Sequence, residues 1–383
     1  MKRKLYSKII DRLDAPEAIV VTGMRRVGKT TLLKQVYDSL KSDNKIFLDL
    51  ENPINQKYFS EENYEAIKYT LETLGVNLTQ KAYVFLDEIQ FVGSITSVVK
   101  YLMDHYQIKF FLTGSSSFYL KNLFSESLAG RKIIYELYPL DFEEFLNFKE
   151  SKLKIPQSVS KTTHQTIILL YKEYVEFGGF PGVVTKNSIE EKRESLNEIF
   201  TTYYNKEVIN IGGFKNNQIV RDLMLLLMSR VGSKIDVQKL SSELGVSRIT
   251  LNEYLAFLEG TYFISLVSPY STNKDTEIRG AKKVYLCDSG LANILGNTSF
   301  GNIFENAIYH QLRTLGEVKY YQRKNGVEID FILDGKSGLE AKTKANKHDI
   351  TRLEKLVKEL RLDSGKVISF EYVDSTVSYG FQI

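Results

Sequence analysis

The chain has 383 residues, 43% of them hydrophobic and 26% charged, with a formal net charge of +4. That length exceeds one average domain, and so weak a basic excess does not by itself imply a nucleic-acid partner. No run approaches the roughly 18 apolar residues that span a bilayer, so no membrane partner is expected; the single cysteine, Cys287, excludes an internal disulfide and, with only four histidines, speaks against a structural zinc site.

The first residues are basic, and Asp11 falls where a secretion signal would continue its apolar stretch, so a cytoplasmic chain is expected. Residues 1–12 read as a short helix. Ala18-Ile19-Val20-Val21-Thr22 is a β-branched strand running into a glycine-rich loop, and Lys29 to Leu40 has helical spacing, with Leu32, Leu33, Val36 and Leu40 on one side. Further strands are expected at residues 45–50, 82–88, 108–114 and 133–137. Short, nearly continuous apolar strands alternating with helices predict a parallel sheet covered on both faces, a doubly wound α/β domain over about residues 1–140.

From Asp141 to about Arg230 the pattern is helical, broken by Gly178-Gly179-Phe180-Pro181-Gly182, and the polar stretch around Lys149–Ser160 reads as a surface loop. Residues 235–244 and 248–259 form two amphipathic helices joined by Gly245-Val246-Ser247, with apolar strands after them: helix–turn–helix spacing with a wing. In a DNA reader, Ser247, Arg248, Thr250 and Asn252 face the major groove, whereas Glu253 and Glu259 are poor phosphate partners; such modules also dock proteins.

Gly23-x-x-x-x-Gly28-Lys29-Thr30 carries the most specific chemistry. Glycines let the backbone curl so that successive N–H groups face one anion, and the following helix adds its positive dipole end. Lys29 is expected on the β- and γ-phosphates of ATP and the Thr30 hydroxyl on Mg²⁺; Arg26 and Thr31 complete the nucleotide-facing set. Asp87 ends a buried strand, a costly place for a carboxylate without a cation, and is assigned to Mg²⁺; Glu88 is the expected general base. Thr113 and Ser115, at the end of the next strand, suit a bond to the γ-phosphate or attacking water, or equally a serine-rich turn. Arg131 precedes the fifth strand, where it suits an arginine finger reaching a neighbour's phosphate in a homo-oligomer, or an ordinary surface ion pair.

These segments, with Leu128-Ala129-Gly130-Arg131 and Leu140-Asp141-Phe142-Glu143-Glu144-Phe145, together resemble the archaeal-type P-loop ATPases of the AAA superfamily. The likeness extends over essentially the whole chain, since the remainder is similar to a C-terminal domain of unknown function that commonly accompanies them. It implies a helical lid in which Pro181 packs on adenine, although a Gly-Gly-x-Pro turn also simply joins two helices.

Near the end, Glu328 and Asp330 share one face of a strand, as do Glu340 and Lys342 of another. Adjacent, these strands would gather Asp330, Glu340 and Lys342, with Glu305 from a preceding helix as a further metal ligand, an arrangement similar to the PD-(D/E)XK nucleases, although no proline precedes the aspartate. Ordinary cross-strand ion pairing gives the same pattern. The expected domains are a P-loop core (1–140), a helical lid (141–230), a winged helix (231–300) and a restriction-endonuclease-like α/β domain (301–383). The function expected of them is ATP hydrolysis coupled to DNA, or a nucleotide switch whose C-terminal part binds DNA or protein without cutting.

Overall fold

The computed structural model describes residues 1–115, 128, 130–271, 273–323, 325–374 and 376–383; Ala129 of the motifs above lies outside the described residues. Two compact units result. One is Met1–Tyr138 with Gly260–Tyr262, the other Pro139–Glu259 with Phe263–Ile383.

The first unit is built on strands β1 (Ala18–Thr22), β2 (Lys45–Asp49), β3 (Ala82–Asp87), β4 (Ile108–Gly114) and β5 (Lys132–Glu136). They form one parallel sheet in the order β2-β3-β4-β1-β5. Strands β1 and β4 are buried along their whole length, as their mostly apolar sequences require in a sheet covered on both faces, with the Lys109 ammonium donating to the carbonyls of Ala15 and Glu17. The helix Lys29–Ser39 buries Leu32, Leu33 and Val36, and the helix Ile95–His105 buries Val98, Val99 and Leu102. Val20, Val84, Leu86, Phe110 and Leu112 supply the sheet's share of the apolar core. Thr22 lies opposite Gly114, and Leu86 opposite Leu112, so β1, β3 and β4 end at one edge of the sheet. That edge is where side chains at strand ends can converge on a ligand.

In the second unit, Asp141 and Glu144 form a reciprocal cap at the start of helix Phe142–Phe148. The helix Ser289–Gly296 packs on Lys161–Phe177 and on Asn217–Ser229. Helices Val237–Glu243 and Arg248–Gly260 follow, joined by residues 244–247, then the antiparallel pair β6 (Ile264–Val267) and β7 (Lys283–Leu286). Beyond them come β8 (Val318–Gln322), β9 (Glu328–Leu333), β10 (Ser337–Lys342), β11 (Ser364–Ser369) and β12 (Ser378–Tyr379), in the order β12-β11-β10-β9-β8. Pairing is antiparallel from β8 to β10 and parallel from β10 to β12. A bridge between Pro269 and Tyr320 sets the β6–β7 hairpin beside β8, which lets side chains of β7 approach those of the larger sheet.

Candidate functional site

At the end of β1 the chain cannot carry a side chain. A Cβ on Gly23 would lie 2.1 Å from the Leu137 carbonyl oxygen. Arg26 (φ 69°) and Gly28 (φ 98°) then take left-handed conformations, and the helix Lys29–Ser39 starts directly after Gly28. Such alternation curls main-chain N–H groups toward a common centre at a helix N-terminus, the geometry that holds phosphate oxygens. The Lys29 side chain is buried inside this curl, and its Nζ donates to the carbonyls of Gly23 (2.9 Å) and Met24 (3.1 Å). Arg26 and Thr31 are exposed beside it.

The end of β3 meets the loop. Thr30 Oγ1 donates to Asp87 Oδ2 at 2.7 Å, so the hydroxyl and carboxylate assigned to Mg²⁺ lie side by side. Thr113, on the intervening strand, donates to the other Asp87 oxygen and accepts the Glu88 main-chain N–H at 3.0 Å. Burial pushes the Asp87 carboxyl above its ordinary range, against the pull of the Thr113 and Thr30 hydroxyls and the Lys29 charge. A hydroxyl and a buried, cation-seeking carboxylate are the oxygen donors a magnesium ion takes.

Glu88 behaves differently. Burial works against its charge as well, but the charges of Lys29 and Arg25, with hydrogen bonds from Gln90 and from the Ser115 main chain, hold it below the ordinary carboxyl range. Arg25 Nη1 stands 4.0 Å from Glu88 Oε1, and Gln90 Nε2 bonds Glu88 Oε2 at 2.5 Å. Asp87 is thus poised to take a cation, and Glu88, ionised, to take a proton. Neither Arg25 nor Gln90 takes a role from the sequence, although Gln90 closes the motif Leu86-Asp87-Glu88-Ile89-Gln90 that carries part of the family resemblance; the left-handed Glu88 (φ 54°) turns Gln90 back toward the carboxylate. Tyr262 was equally hidden. Its hydroxyl lies 2.5 Å from Thr22 Oγ1 and donates to Glu136 at 3.1 Å, just below the loop.

Arg131 is not at this edge. Lys132, which follows it, lies opposite Ala18 at the start of β1, and the Arg131 guanidinium pairs with Asp104 at the surface. It has no part in its own chain's phosphate site. Pro181 opens the short helix Pro181–Val184 of the second unit. The glycines before it have packing roles: a Cβ on Gly178 would strike the Asp288 carboxylate, and one on Gly179 the Leu140 carbonyl oxygen.

In the second unit the expected carboxylates are close together but are not arranged as a metal site. Asp330 accepts the Ala341 main-chain N–H at 2.9 Å, near the end of the β9–β10 ladder. Lys283, from β7, places its buried ammonium 3.4 Å from Glu305 and 3.9 Å from both Asp330 and Glu328. Tyr285 donates to Glu305 at 2.7 Å. Burial works against the Lys283 charge, but Glu305, Asp330 and Glu328 outweigh it and raise its pKa above the ordinary range. One ammonium cannot balance three carboxylates, and burial together with the Asp330 charge pushes Glu305 up to about 7. Glu340 is paired separately, with Lys342 at 2.9 Å and with Arg352. Among the described residues no three His, Cys, Asp or Glu side chains form a group able to hold a metal ion. Sequence alternation put Glu328 with Asp330 and Glu340 with Lys342 correctly, but not Lys283, which comes from another hairpin.

On the helix Arg248–Gly260, Leu251, Tyr254, Leu255 and Leu258 are buried, while Ser247, Arg248, Ile249 and Asn252 are exposed. None of the described helices is long and apolar enough to cross a membrane.

Residues 15–146 match the family model of an AAA domain, and residues 168–301 that of a domain of unknown function (DUF8612). An uncharacterized protein of Methanocaldococcus jannaschii is 28% identical, covering 97% of this chain and 86% of the relative. An uncharacterized protein of Haemophilus influenzae is 27% identical, covering 86% and 83% respectively. Among solved structures, the Aeropyrum pernix ORC1 protein in complex with DNA aligns with a TM-score of 0.39 and 12% identity over 76% of this chain and 91% of that one. The ADP form of the Aeropyrum pernix ORC2 protein aligns at 0.32 and 14%, over 74% and 87%. The AAA-domain match and the observed sheet order agree on an α/β P-loop fold for the first unit.

Proposed function

We propose that the chain binds ATP with Mg²⁺ at the Gly23–Thr30 loop and hydrolyses it to ADP and phosphate. The observation that carries this reading is the meeting of Thr30 with Asp87 at 2.7 Å beside a buried, ionised Glu88. Thr30 and Asp87 would hold Mg²⁺, which would supply charge neutralisation at the phosphate oxygens. Lys29 lies in the curl of the loop, where its ammonium exchanges carbonyl partners for phosphate oxygens. Glu88 takes the proton of the attacking water, and Thr113 keeps Asp87 and the Glu88 main chain in register. Phosphate release from ATP by the purified chain with Mg²⁺ tests the assignment; turnover that survives both Lys29→Ala and Glu88→Gln overturns it.

Arg131 cannot serve its own site, so the finger role assigns it to a neighbouring copy. For the second unit the reading is DNA binding without cleavage, through the exposed Ser247, Arg248 and Asn252. Lys283 favours this over the nuclease alternative, because an ammonium already stands among the carboxylates that would take the metal. Salt-dependent DNA binding that Arg248→Ala weakens is the expected result. DNA cleavage by the wild-type chain that the double variant Asp330→Ala, Lys342→Ala abolishes would instead restore the nuclease reading.

A further inference from the structure

The side chain of Gln90 folds back onto the end of β3. Glu88 is left-handed (φ 54°, ψ 52°), and Ile89–Phe91 form a single 3₁₀ turn. This reversal returns Gln90 to the carboxylate two residues before it. Its Nε2 donates to Glu88 Oε2 at 2.5 Å and to Ser115 Oγ at 3.0 Å. Ser115 is fully buried and follows the last residue of β4, the strand between β1 and β3. One amide therefore ties the end of β3 to the end of β4 at the edge where the phosphate loop lies.

The orientation of that amide follows from electrostatics. With the two ends exchanged, a carbonyl oxygen would face an ionised carboxylate, and neither could donate. The amide nitrogen must point at Glu88, which leaves Gln90 Oε1 as the free end of the amide. That oxygen is buried, and among the described residues nothing donates to it. Buried acceptors in folded proteins almost always have a partner. An acceptor left open next to an ionised general base matches a water molecule, which has two hydrogens to give.

We propose that Gln90 is a catalytic residue that holds the attacking water together with Glu88. The inference rests on the ATP-hydrolysis reading above. One hydrogen of the water points to the Glu88 carboxylate and the other to Gln90 Oε1, which aims the oxygen lone pair. As the oxygen bonds to the terminal phosphorus, the bond from that phosphorus to the ADP oxygen breaks. The first proton passes to Glu88, and the second hydrogen stays on the new phosphate. Gln90 itself gains and loses no proton.

The test uses the full chain, with steady-state ATP hydrolysis in Mg²⁺ and binding of a fluorescent ATP analogue. Gln90→Leu keeps the volume and removes both polar ends. It is expected to lower kcat by about 10- to 100-fold while KM and analogue binding stay within about twofold, because the amide does not contact the nucleotide. Gln90→Glu replaces the amide donor by a second carboxylate against Glu88 and should lower kcat at least as far, again with KM and analogue binding within about twofold. A purely structural role would lower kcat and binding together. If both variants turn over within twofold of wild type, while Glu88→Gln is dead, the role of Gln90 is wrong and the ATPase reading stands. If Lys29→Ala and Glu88→Gln also leave turnover unchanged, the ATPase reading falls and this inference falls with it.

Discussion

The protein holds two clusters of buried carboxylates that solve the same electrostatic problem in opposite ways. At the edge of the first sheet, Asp87 is surrounded by hydroxyls, with Lys29 held by loop carbonyls and Arg25 directed to Glu88. On the second sheet, Lys283 sits among Glu305, Glu328 and Asp330, while Lys342 and Arg352 pair with Glu340. A carboxylate removed from water needs a cation or several donors. The first cluster leaves a carboxylate that still seeks a cation, which suits a ligand that comes and goes. The second carries its cations in the chain, which suits a permanent structural element. The number of acidic residues thus says little about metal binding until the nearest ammonium is located.

The largest expected effect lies at the first cluster. Lys29→Ala should cost roughly a hundredfold or more in ATP turnover and most of the nucleotide affinity, read by phosphate release and analogue binding. Next comes the built-in cation of the second cluster. Lys283→Ala leaves three carboxylates facing one another and should destabilise the fold by about 3–5 kcal/mol in urea unfolding. Millimolar Mn²⁺ should then recover part of that loss in the variant and none in the wild type. A variant as stable as wild type, or indifferent to the metal, would erase the distinction between the two clusters.

Asp288 offers a third kind of compensation, by main-chain dipoles. It is fully buried and accepts N–H groups of Gly179 (2.7 Å) and Gly290 (2.9 Å), yet burial outweighs them and pushes its pKa up to about 6. An acid raised above its unfolded value favours the protonated fold. Its stabilisation is complete below about pH 4 and declines as pH rises through about 6, by up to ~3 kcal/mol. Asp288→Asn has no proton to lose, so the stability gap between variant and wild type should change across that window; a gap independent of pH would show that dipoles suffice. The smallest effect is expected at Arg131, whose ion pair with Asp104 is 41% and 36% exposed. Arg131→Ala should change stability by no more than about 0.5 kcal/mol. A loss of turnover that appears only where copies associate would support its role in a neighbouring site.

Much of the first unit is legible in the amino-acid sequence. Local rules govern its strands: an apolar β-branched run entering a glycine loop, and carboxylates closing Ala82–Asp87. The alternation of strands and helices predicts a parallel sheet, and a parallel sheet with β4 beside β1 is observed. Gln90 escapes such rules because its position depends on a single left-handed residue, and Glu88 has no preference for that conformation that could signal it. In the second unit, two-residue alternation correctly places Asp330 with Glu328 and Glu340 with Lys342. It does not foresee that Glu340 and Asp330 take separate partners.

What sequence alone determined here is chemistry that neighbours along the chain can make: the phosphate loop, the amphipathic helices, and the face on which each strand presents its acids. Spacing encodes these because backbone geometry repeats every two or 3.6 residues. Only the tertiary structure decided which charges meet. Lys283 reaches Asp330 from a separate hairpin, and Gln90 reaches Ser115 across two strand ends. Such meetings depend on how elements pack, and packing is set by the burial of apolar surface along the whole chain rather than by any local repeat.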